Sequence, residues 1–192
     1  MIKLVFTLVA LACHTAQADN SFVSFFNNFD SLSGEFKQET YDENQTLISY
    51  GSGTWRFKKP KQLFWHTYKP SEQILLINNH EIWLIDMDLE QAALQNINVD
   101  KTPLYWLINK PSANSAATLI RQEQGLDWYR VEHPDNQQAF EFGFRGDLLE
   151  AIQTNNVLGQ TVKIYLLSLL INPTFSANDF KLDIAPSFDI IQ

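Results

Sequence analysis

The residues of this chain that could perform chemistry are few and lie far apart. His66, His80 and His133 are not spaced as the paired ligands of a His-Glu-x-x-His zinc motif. The run 86–90 places three acidic residues at metal-like spacing, but the glycine and the further oxygen ligands of a calcium loop do not follow it. We therefore predict no metal site and no cofactor.

Nucleophilic catalysis is also poorly supported by the sequence. Gly51-Ser52-Gly53 is one residue short of the Gly-x-Ser-x-Gly elbow of hydrolases. Arg145-Gly146-Asp147 resembles an adhesion tripeptide, but it lies where a hairpin must turn, so we interpret it as a turn. Because no nucleophile has an evident base, we predict no catalytic residue and a protein that is not an enzyme.

The residues between 53 and 90 instead show the pattern of β-strands. Trp55 and Phe57 alternate with polar residues, and Leu63 and Trp65 repeat this alternation after a proline break. A period of two is typical of a strand with one buried face. This part of the chain is therefore predicted to form an antiparallel sheet with an aromatic face.

Two neighbouring runs, 74–77 and 82–85, are apolar at every position. Strands of this kind need cover on both of their faces. Asn78-Asn79 between the runs predicts a tight hairpin turn, because asparagine tolerates positive φ. We expect a strongly curved sheet with side chains or a ligand enclosed by it.

The first eighteen residues have the pattern of a secretory signal peptide. Lys3 precedes a short apolar stretch, and Ala16-Gln17-Ala18 forms a small-x-small cleavage site. Cleavage there would leave one domain, residues 19–192. The alternative is a lipoprotein signal, in which Cys13 would be acylated after cleavage.

Charge and cysteine content restrict the function further. The 192-residue chain has a formal net charge of −8, which becomes −9 without Lys3 of the predicted signal peptide. This excess of acidic residues argues against nucleic acid as a partner. Cys13 is the only cysteine, so the predicted domain must be held together by its core. The longest apolar run after the signal, 164–171, has strand length and is interrupted by Ser168.

Three helices are predicted among the strands. The first spans 21–29 and has phenylalanines at helical spacing, Phe22, Phe25, Phe26 and Phe29. The second begins at Thr102-Pro103 and ends at Pro111, and the third begins at Ser112. Their apolar faces contain Leu104, Leu107 and Ile108 in the second helix and Ala116, Leu119 and Ile120 in the third.

The rest of the chain alternates short apolar runs with turn signals. These runs predict strands at 128–131, 139–144, 148–153, 161–167 and 175–184. The total is ten or eleven strands in one domain, in an order that does not give parallel βαβ units. We predict a mainly β (α+β) fold: an incomplete antiparallel β-barrel, or strongly curved sheet, with a helical lid over a hydrophobic cavity.

Over nearly its whole length after the signal, the sequence resembles the LolA family of periplasmic lipoprotein carriers. The resemblance depends on the order and spacing of several short motifs, none of which is diagnostic alone. These motifs are Phe36-Lys37-Gln38, Gly53-Thr54-Trp55, Lys58-Lys59-Pro60, Leu63-Phe64-Trp65, Lys69-Pro70, Ile82-Trp83-Leu84-Ile85-Asp86, Asp88-Leu89-Glu90-Gln91, Thr102-Pro103-Leu104, Leu158-Gly159-Gln160-Thr161 and Phe180-Lys181-Leu182, with Pro186 and Asp189-Ile190-Ile191.

The resemblance implies a function in the periplasm of a Gram-negative bacterium. Members of the family take acylated lipoproteins from an inner-membrane ABC transporter, shield their acyl chains, and deliver them to an outer-membrane lipoprotein receptor. For this chain it implies the same fold, partners and cargo, and we expect a monomer. A related periplasmic lipid-binding sensor, or a paralogue that carries a different lipid, is the alternative, and a lipid hydrolase is a second one.

The resemblance also assigns roles to residues. In the family a basic residue before a proline, usually arginine, holds the lid closed, and Lys59 occupies this position here. Two lysines in a solvated turn are the alternative interpretation. We expect the acyl-chain cavity to be lined by Phe36, Trp55, Phe57, Leu63, Trp65, Ile77 and Trp83. Leu104, Leu107, Ile108 and Leu119 are expected to contribute from the lid.

Overall fold

Twelve β-strands form one open sheet in the described part of the computed structural model. The strands are β1 (Ser31–Tyr41), β2 (Leu47–Lys58), β3 (Gln62–Lys69), β4 (Gln73–Asn78), β5 (Glu81–Asp86), β6 (Gln91–Leu94), β7 (Thr118–Glu123), β8 (Leu126–Glu132), β9 (Ala139–Arg145), β10 (Leu148–Asn155), β11 (Thr161–Ile171) and β12 (Asp189–Ile191). Their order is β12-β6-β5-β4-β3-β2-β1-β11-β10-β9-β8-β7. The predicted incomplete barrel, a mainly β fold, is confirmed.

Two short helices accompany the sheet, α1 (Ser21–Asn27) and α2 (Leu104–Ile108). The structure describes residues 21–79, 81–95, 104–109, 111, 117–132, 139–156, 158–181 and 184–191. The predicted signal peptide with Cys13, the helix start at Thr102-Pro103, His80 and His133 lie outside these residues. No helix in the described ranges has both the length and the apolar character needed to cross a bilayer.

Neighbouring strands are antiparallel, with one exception. Among the strands of the described residues, only β12 pairs in parallel, beside β6. The longest strands, β1, β2 and β11, lie next to one another in the middle of the sheet, where β1 pairs with β2 on one side and with β11 on the other. The predicted hairpin turn between β4 and β5 is confirmed, since Asn79 has φ of 57°. The turn at Arg145-Gly146-Asp147 is also confirmed, because it joins β9 and β10 with Gly146 at positive φ.

The largest core lies on the concave face, where α1 packs against the sheet. All four phenylalanines of the predicted stripe are at most 5% exposed. The Phe22 ring lies 5.3 Å from the Trp106 ring of α2 and 5.2 Å from the Phe142 ring of β9, measured between centroids. Tilted and edge-to-face contacts at these separations are favourable for aromatic pairs. Helix α1 is therefore a core element as well as a cover.

A second core covers the opposite face of strands β3, β4 and β5. It contains Phe64, Ile74, Leu76, Ile85, Ala92 and Phe180. Phe180 belongs to a 3₁₀ turn, Ala177–Phe180, that lies across these strands. The Arg56 guanidinium sits 3.8 Å from the centroid of Phe64 and donates a hydrogen bond to the Asp179 carbonyl oxygen. The prediction that both faces of the fully apolar runs are covered is confirmed for all of their residues except Leu84, which is 39% exposed.

Two predicted elements are wrong. The run 175–184 is not a strand, because its described part forms the 3₁₀ turn instead. The Asp179 carboxylate accepts hydrogen bonds from the Ser176 amide (2.7 Å) and hydroxyl (2.8 Å), which favours a helical turn over a ladder. The bond from the hydroxyl, and then the bond from the amide, also hold the pKa of Asp179 below its usual value.

The third predicted helix is also wrong where it can be seen. Leu119 and Ile120 lie in strand β7, which pairs with β8, and residues 112–116 are outside the described part. The β-branched residues Thr118 and Ile120 fit a strand better than a helix. Their neighbour Leu119 is 46% exposed.

Glycine at position 53 is required by a close approach of strands β2 and β3. A Cβ atom there would lie 1.8 Å from the His66 carbonyl oxygen and 2.8 Å from a ring carbon of Phe36. We predict that Gly53→Ala lowers the free energy of unfolding by about 1–3 kcal/mol, because the backbone must shift to admit the methyl group. Denaturant unfolding measures this change. Ser52→Ala, on the other face of the same strand, is the control, and equal stability of the two variants would contradict the prediction.

Candidate functional site

An apolar cavity of about 260 Å³ lies between the concave face of the sheet and the two helices. Its walls come from strands on both sides of β1 and from α1 and α2. The lining residues are Phe26, Gln38, Trp55, Leu63, Trp65, Leu75, Leu104, Leu107, Phe142, Leu149, Ile152, Ile164 and Leu166. Gln38 is the one member of this set whose side chain is neither aromatic nor aliphatic.

The aromatic wall is built by strands β1 to β4. Trp55 and Trp65 are cross-strand partners, and Leu75 lies opposite Trp65 on the next strand. Residues that face each other across a ladder share one side of the sheet. The Trp65 ring also stacks on Phe36, with 4.0 Å between centroids. The register of four strands thus brings these side chains to one surface.

The opposite wall was not identified from the sequence. It is formed by residues of β9, β10 and β11, namely Phe142, Leu149, Ile152, Ile164 and Leu166. The alternation of Phe140, Phe142 and Phe144 was visible, but those three are all fully buried and do not distinguish a cavity from a core. The pairing of β1 with the distant strand β11 is what brings this wall to the cavity.

The two helices cover the cavity together. Leu104 and Leu107 of α2 and Phe26 of α1 reach its surface. The side-chain amide of Asn27 donates a hydrogen bond to the Pro111 carbonyl oxygen (3.1 Å), which ties the end of α1 to the segment after α2. We call α1 and α2, with this connection, the lid. The other predicted lid residue of α2, Ile108, packs against the same core without lining the cavity.

Lys59 contacts the end of α1. Its ammonium group donates hydrogen bonds to the carbonyl oxygens of Phe29 (2.6 Å) and Phe26 (3.3 Å). The same group lies 4.0 Å from the centroid of the Phe29 ring. A cation at the last carbonyls of a helix is favourable, because these groups have no partner within the helix and carry the negative end of its dipole. The interpretation of Lys59 as part of a solvated turn does not fit this geometry.

Other predicted cavity residues are close to the cavity without lining it. The Phe36 ring packs against Trp65, and the Phe57 ring packs against Phe29 with 6.1 Å between ring centroids. Ile77 belongs to the same core on the concave face.

Two of the predicted site residues are not at the cavity at all. Trp83 is paired with Leu76 on the opposite face of the sheet, where it lines a second cavity of about 220 Å³ with Phe180 and Lys181. The run 82–85 is apolar throughout, so its periodicity could not say which side each residue faces. Leu119 is on the exposed edge strand β7, because the helix predicted for it is a strand.

The lining side chains carry no ionisable group, so they supply no general acid, base or charged nucleophile. The shifted groups lie elsewhere: a hydrogen bond to Glu39 raises the pKa of Tyr41 to about 12, and burial lowers the pKa of Arg56. The indole N–H groups of Trp55 and Trp106 are buried and have no hydrogen-bond partner in the described ranges. The cavity is suited to binding an apolar ligand.

Known proteins are similar to this chain in sequence and in fold. The model of the LolA family, described as outer membrane lipoprotein carrier protein LolA, matches residues 27–183. An outer-membrane lipoprotein carrier protein of Idiomarina loihiensis is 28% identical over 169 residues, which cover 87% of this chain and 84% of that protein. A protein of the same name from Pseudomonas aeruginosa is 28% identical over 198 residues, covering 96% and 94%.

Among solved structures, an uncharacterized conserved protein from Thermus thermophilus has a similar fold. The TM-score is 0.57 at 8% sequence identity, over 91% of this chain and 99% of that one, so this likeness concerns the fold alone. The family match at 27–183 contains strands β1–β11 and helix α2, and with them both walls of the cavity. This chain belongs to the LolA family of outer-membrane lipoprotein carrier proteins.

Proposed function

We propose that this protein carries lipoproteins through the periplasm by holding their acyl chains in the cavity under the lid. The observation that supports this function is the lining of the cavity, in which twelve of thirteen side chains are aromatic or aliphatic. Burial is worth about 0.8 kcal/mol per methylene, so exposing a chain of about fifteen methylenes costs on the order of 12 kcal/mol. A lipoprotein therefore needs a protein that buries its acyl chains while it moves through the aqueous periplasm.

The cavity must enlarge to receive its cargo. Its volume of about 260 Å³ is below the range of about 300–1,000 Å³ that is common for small-molecule pockets. This form of the cavity is therefore the closed one, and acyl chains enter when α1 and α2 move away from the sheet. Release follows when a receptor holds the chains better than the cavity does, because a ligand shifts a conformational equilibrium only by its differential affinity.

Lys59 acts as the latch of this lid. Its ammonium group holds the carbonyl oxygen of Phe26 in the last turn of α1 and that of Phe29 just after the helix. Helix α1 is tied in turn to the segment after α2 through Asn27. The lysine ammonium group is a point charge, whereas the arginine guanidinium group is planar and presents several donors in a fixed arrangement. The two hydrogen bonds of Lys59 can therefore break one at a time more easily than those of an arginine at the same position. At the other end of α1, the Ser21 hydroxyl donates a hydrogen bond to the Asp147 carboxylate (3.3 Å), so polar contacts hold the lid at both ends of this helix.

The partners follow from this function. The protein receives acylated lipoproteins from an inner-membrane ABC transporter and passes them to an outer-membrane receptor. The signal peptide at residues 1–18 is removed, and the remaining domain works as a monomer. It uses no cofactor and catalyses no reaction. The lipid-binding sensor and the hydrolase are the alternatives that the experiments below distinguish.

The decisive experiment is to identify the natural ligand. The protein is purified from the periplasm of its own host, its bound material is extracted, and the extract is analysed by mass spectrometry. Acylated peptides with a modified N-terminal cysteine support the carrier function. A different lipid as the main ligand supports the sensor or paralogue, and turnover of an acyl ester by the purified protein supports the hydrolase.

Trp65 tests whether the aromatic wall holds the ligand. We predict that Trp65→Ala weakens binding of an acylated peptide roughly ten- to hundredfold, since burying a large apolar side chain against a ligand is worth about 1.5–3 kcal/mol. Isothermal titration calorimetry measures the affinity, and the thermal unfolding midpoint checks the fold. Trp83→Ala, on the opposite face, is the matched control. Unchanged affinity in the Trp65 variant would remove this residue from the site.

Lys59 tests the latch. We predict that Lys59→Met increases amide hydrogen exchange in residues 21–29 and lowers their local opening free energy by about 1.5–3 kcal/mol, the usual worth of hydrogen bonds to a charged group. Lys59→Arg should keep the protection, because it keeps the charge. Lys61→Met, on an exposed side chain of the same turn, controls for loss of charge. Equal protection in all four proteins would mean that Lys59 does not hold the lid.

A further inference from the structure

Gln38 is an exception in the cavity that the proposed function leaves unexplained. It lies on β1 between two apolar walls, opposite Gly51 of β2 and Ile164 of β11. It is half-buried, and its side-chain amide has no hydrogen-bond partner in the described ranges. The amide is not among the fully buried unpaired groups, so it is accessible to solvent. A primary amide has two donors and one acceptor oxygen, and a ligand that covers them without replacing the hydrogen bonds of the solvent incurs a penalty.

The two cross-strand partners of Gln38 offer no side-chain group that could satisfy its amide. Gly51 has no side chain, and a Cβ atom there would lie 3.2 Å from the Lys69 carbonyl oxygen, so strand packing also disfavours a larger residue. Ile164, on the other side, has no hydrogen-bonding group. The side chain of Gln38 therefore faces the cavity with its hydrogen-bonding capacity available for a ligand.

An acyl chain that has been attached to another molecule carries one polar group beside its tail. This group is the carbonyl of the ester or amide that joins the chain to its head. A Gln amide nitrogen can donate to that carbonyl oxygen, and the Gln oxygen can accept from the N–H of an amide linkage. A saturated hydrocarbon chain or an alkyl ether has no carbonyl to offer.

We propose that Gln38 recognises the acyl linkage of the ligand by hydrogen bonding to its carbonyl oxygen. This inference rests on the proposed function, and it adds that the cavity selects for carbonyl-linked chains. Gln38 is a specificity-determining residue, whereas the aromatic wall and the lid bind the tail without discrimination.

The register of β1 gives the ligand an orientation. Lys59 follows Lys58, which pairs with Ser31 at the start of β1, and Gln38 lies seven residues further along that strand. Seven residues of an extended strand span about 23 Å. The acyl linkage therefore lies at the end of the cavity remote from the latch, and the tail points toward Trp55 and the lid.

The test compares three ligands with one head and one tail. A short serine peptide carries a sixteen-carbon chain as an N-acyl amide, as an O-acyl ester, or as an O-alkyl ether. We expect the wild-type protein to bind both carbonyl ligands roughly three- to tenfold more tightly than the ether, the usual worth of one hydrogen bond. Gln38→Leu should bind all three ligands with nearly the same affinity. Gln122→Leu, on exposed strand β7, should behave as wild type.

The outcomes separate this inference from the carrier function. If the wild-type protein binds no sixteen-carbon ligand, both proposals fail. If it binds the ligands and Gln38→Leu keeps the wild-type preference for carbonyl, the role of Gln38 is overturned and the carrier function stands. Gln38→Met, which has nearly the length of glutamine without its amide, should also lose the preference, and it serves in place of the leucine variant if that variant does not fold. If the wild-type protein binds only one of the two carbonyl ligands more tightly than the ether, that ligand identifies the linkage, amide or ester, to which Gln38 hydrogen bonds.

Discussion

Strands β4 and β5 contain runs that are apolar on both faces, and both faces must be shielded from water. The open sheet cannot do this alone, since it does not curl far enough to close on itself in the described part. The concave face is covered by α1 and α2, and the opposite face by the 3₁₀ turn that carries Phe180. The two covers differ in kind. The outer one is fixed by Arg56, which contacts Phe64 and the Asp179 carbonyl, and it encloses a second core. The inner one leaves space between itself and the sheet.

The inner cover combines stability with movement in one helix. Phe22 and Phe26 of α1 both pack on Phe142, and Phe26 also forms part of the cavity surface. In the opening that we propose, α1 would move away and these rings would lose contacts that stabilise the closed protein. Acyl chains that entered the space would replace the lost apolar contacts, which would couple ligand binding to lid opening through the same side chains. A small closed cavity is consistent with this exchange, because a permanently large apolar cavity would itself be destabilising.

Sequence periodicity predicted the parts of the fold that depend on local chemistry. The phenylalanine stripe of α1, the alternation of Trp55 and Phe57, and the turn at Asn79 each follow from neighbours in the chain. Trp83 was misplaced because a run that is apolar at every position has no face that periodicity can identify. The segment 175–184 was misassigned because its structure depends on the Ser176–Asp179 contact and on a site on the outer face of the sheet.

The residues of the site also divide into those that local sequence predicts and those that depend on long-range strand pairing. Trp55, Leu63, Trp65, Leu104 and Leu107 were identified because they lie in motifs that are strongly apolar. The wall from β9, β10 and β11 was missed because its position is set by pairing between β1 and β11, which are distant in sequence. The sequence analysis named Gln38 only as part of the motif Phe36-Lys37-Gln38 and assigned it no role in the cavity. Its place among apolar side chains depends on the register with Gly51 and Ile164.

The pairing of β1 with β11 also has a consequence for how the chain folds. Leu32 lies opposite Ile171, so the middle of the sheet is completed only after residue 171 has been made. Contacts between residues so far apart in sequence form slowly, because the entropy of closing a long loop is lost before these contacts contribute any favourable free energy. Helix α1 is made early, but the surface that receives its phenylalanines comes largely from β9 and β10. The phenylalanines of α1 thus stay unburied until strands β9 and β10 have been made, and apolar surface that is exposed this long favours aggregation.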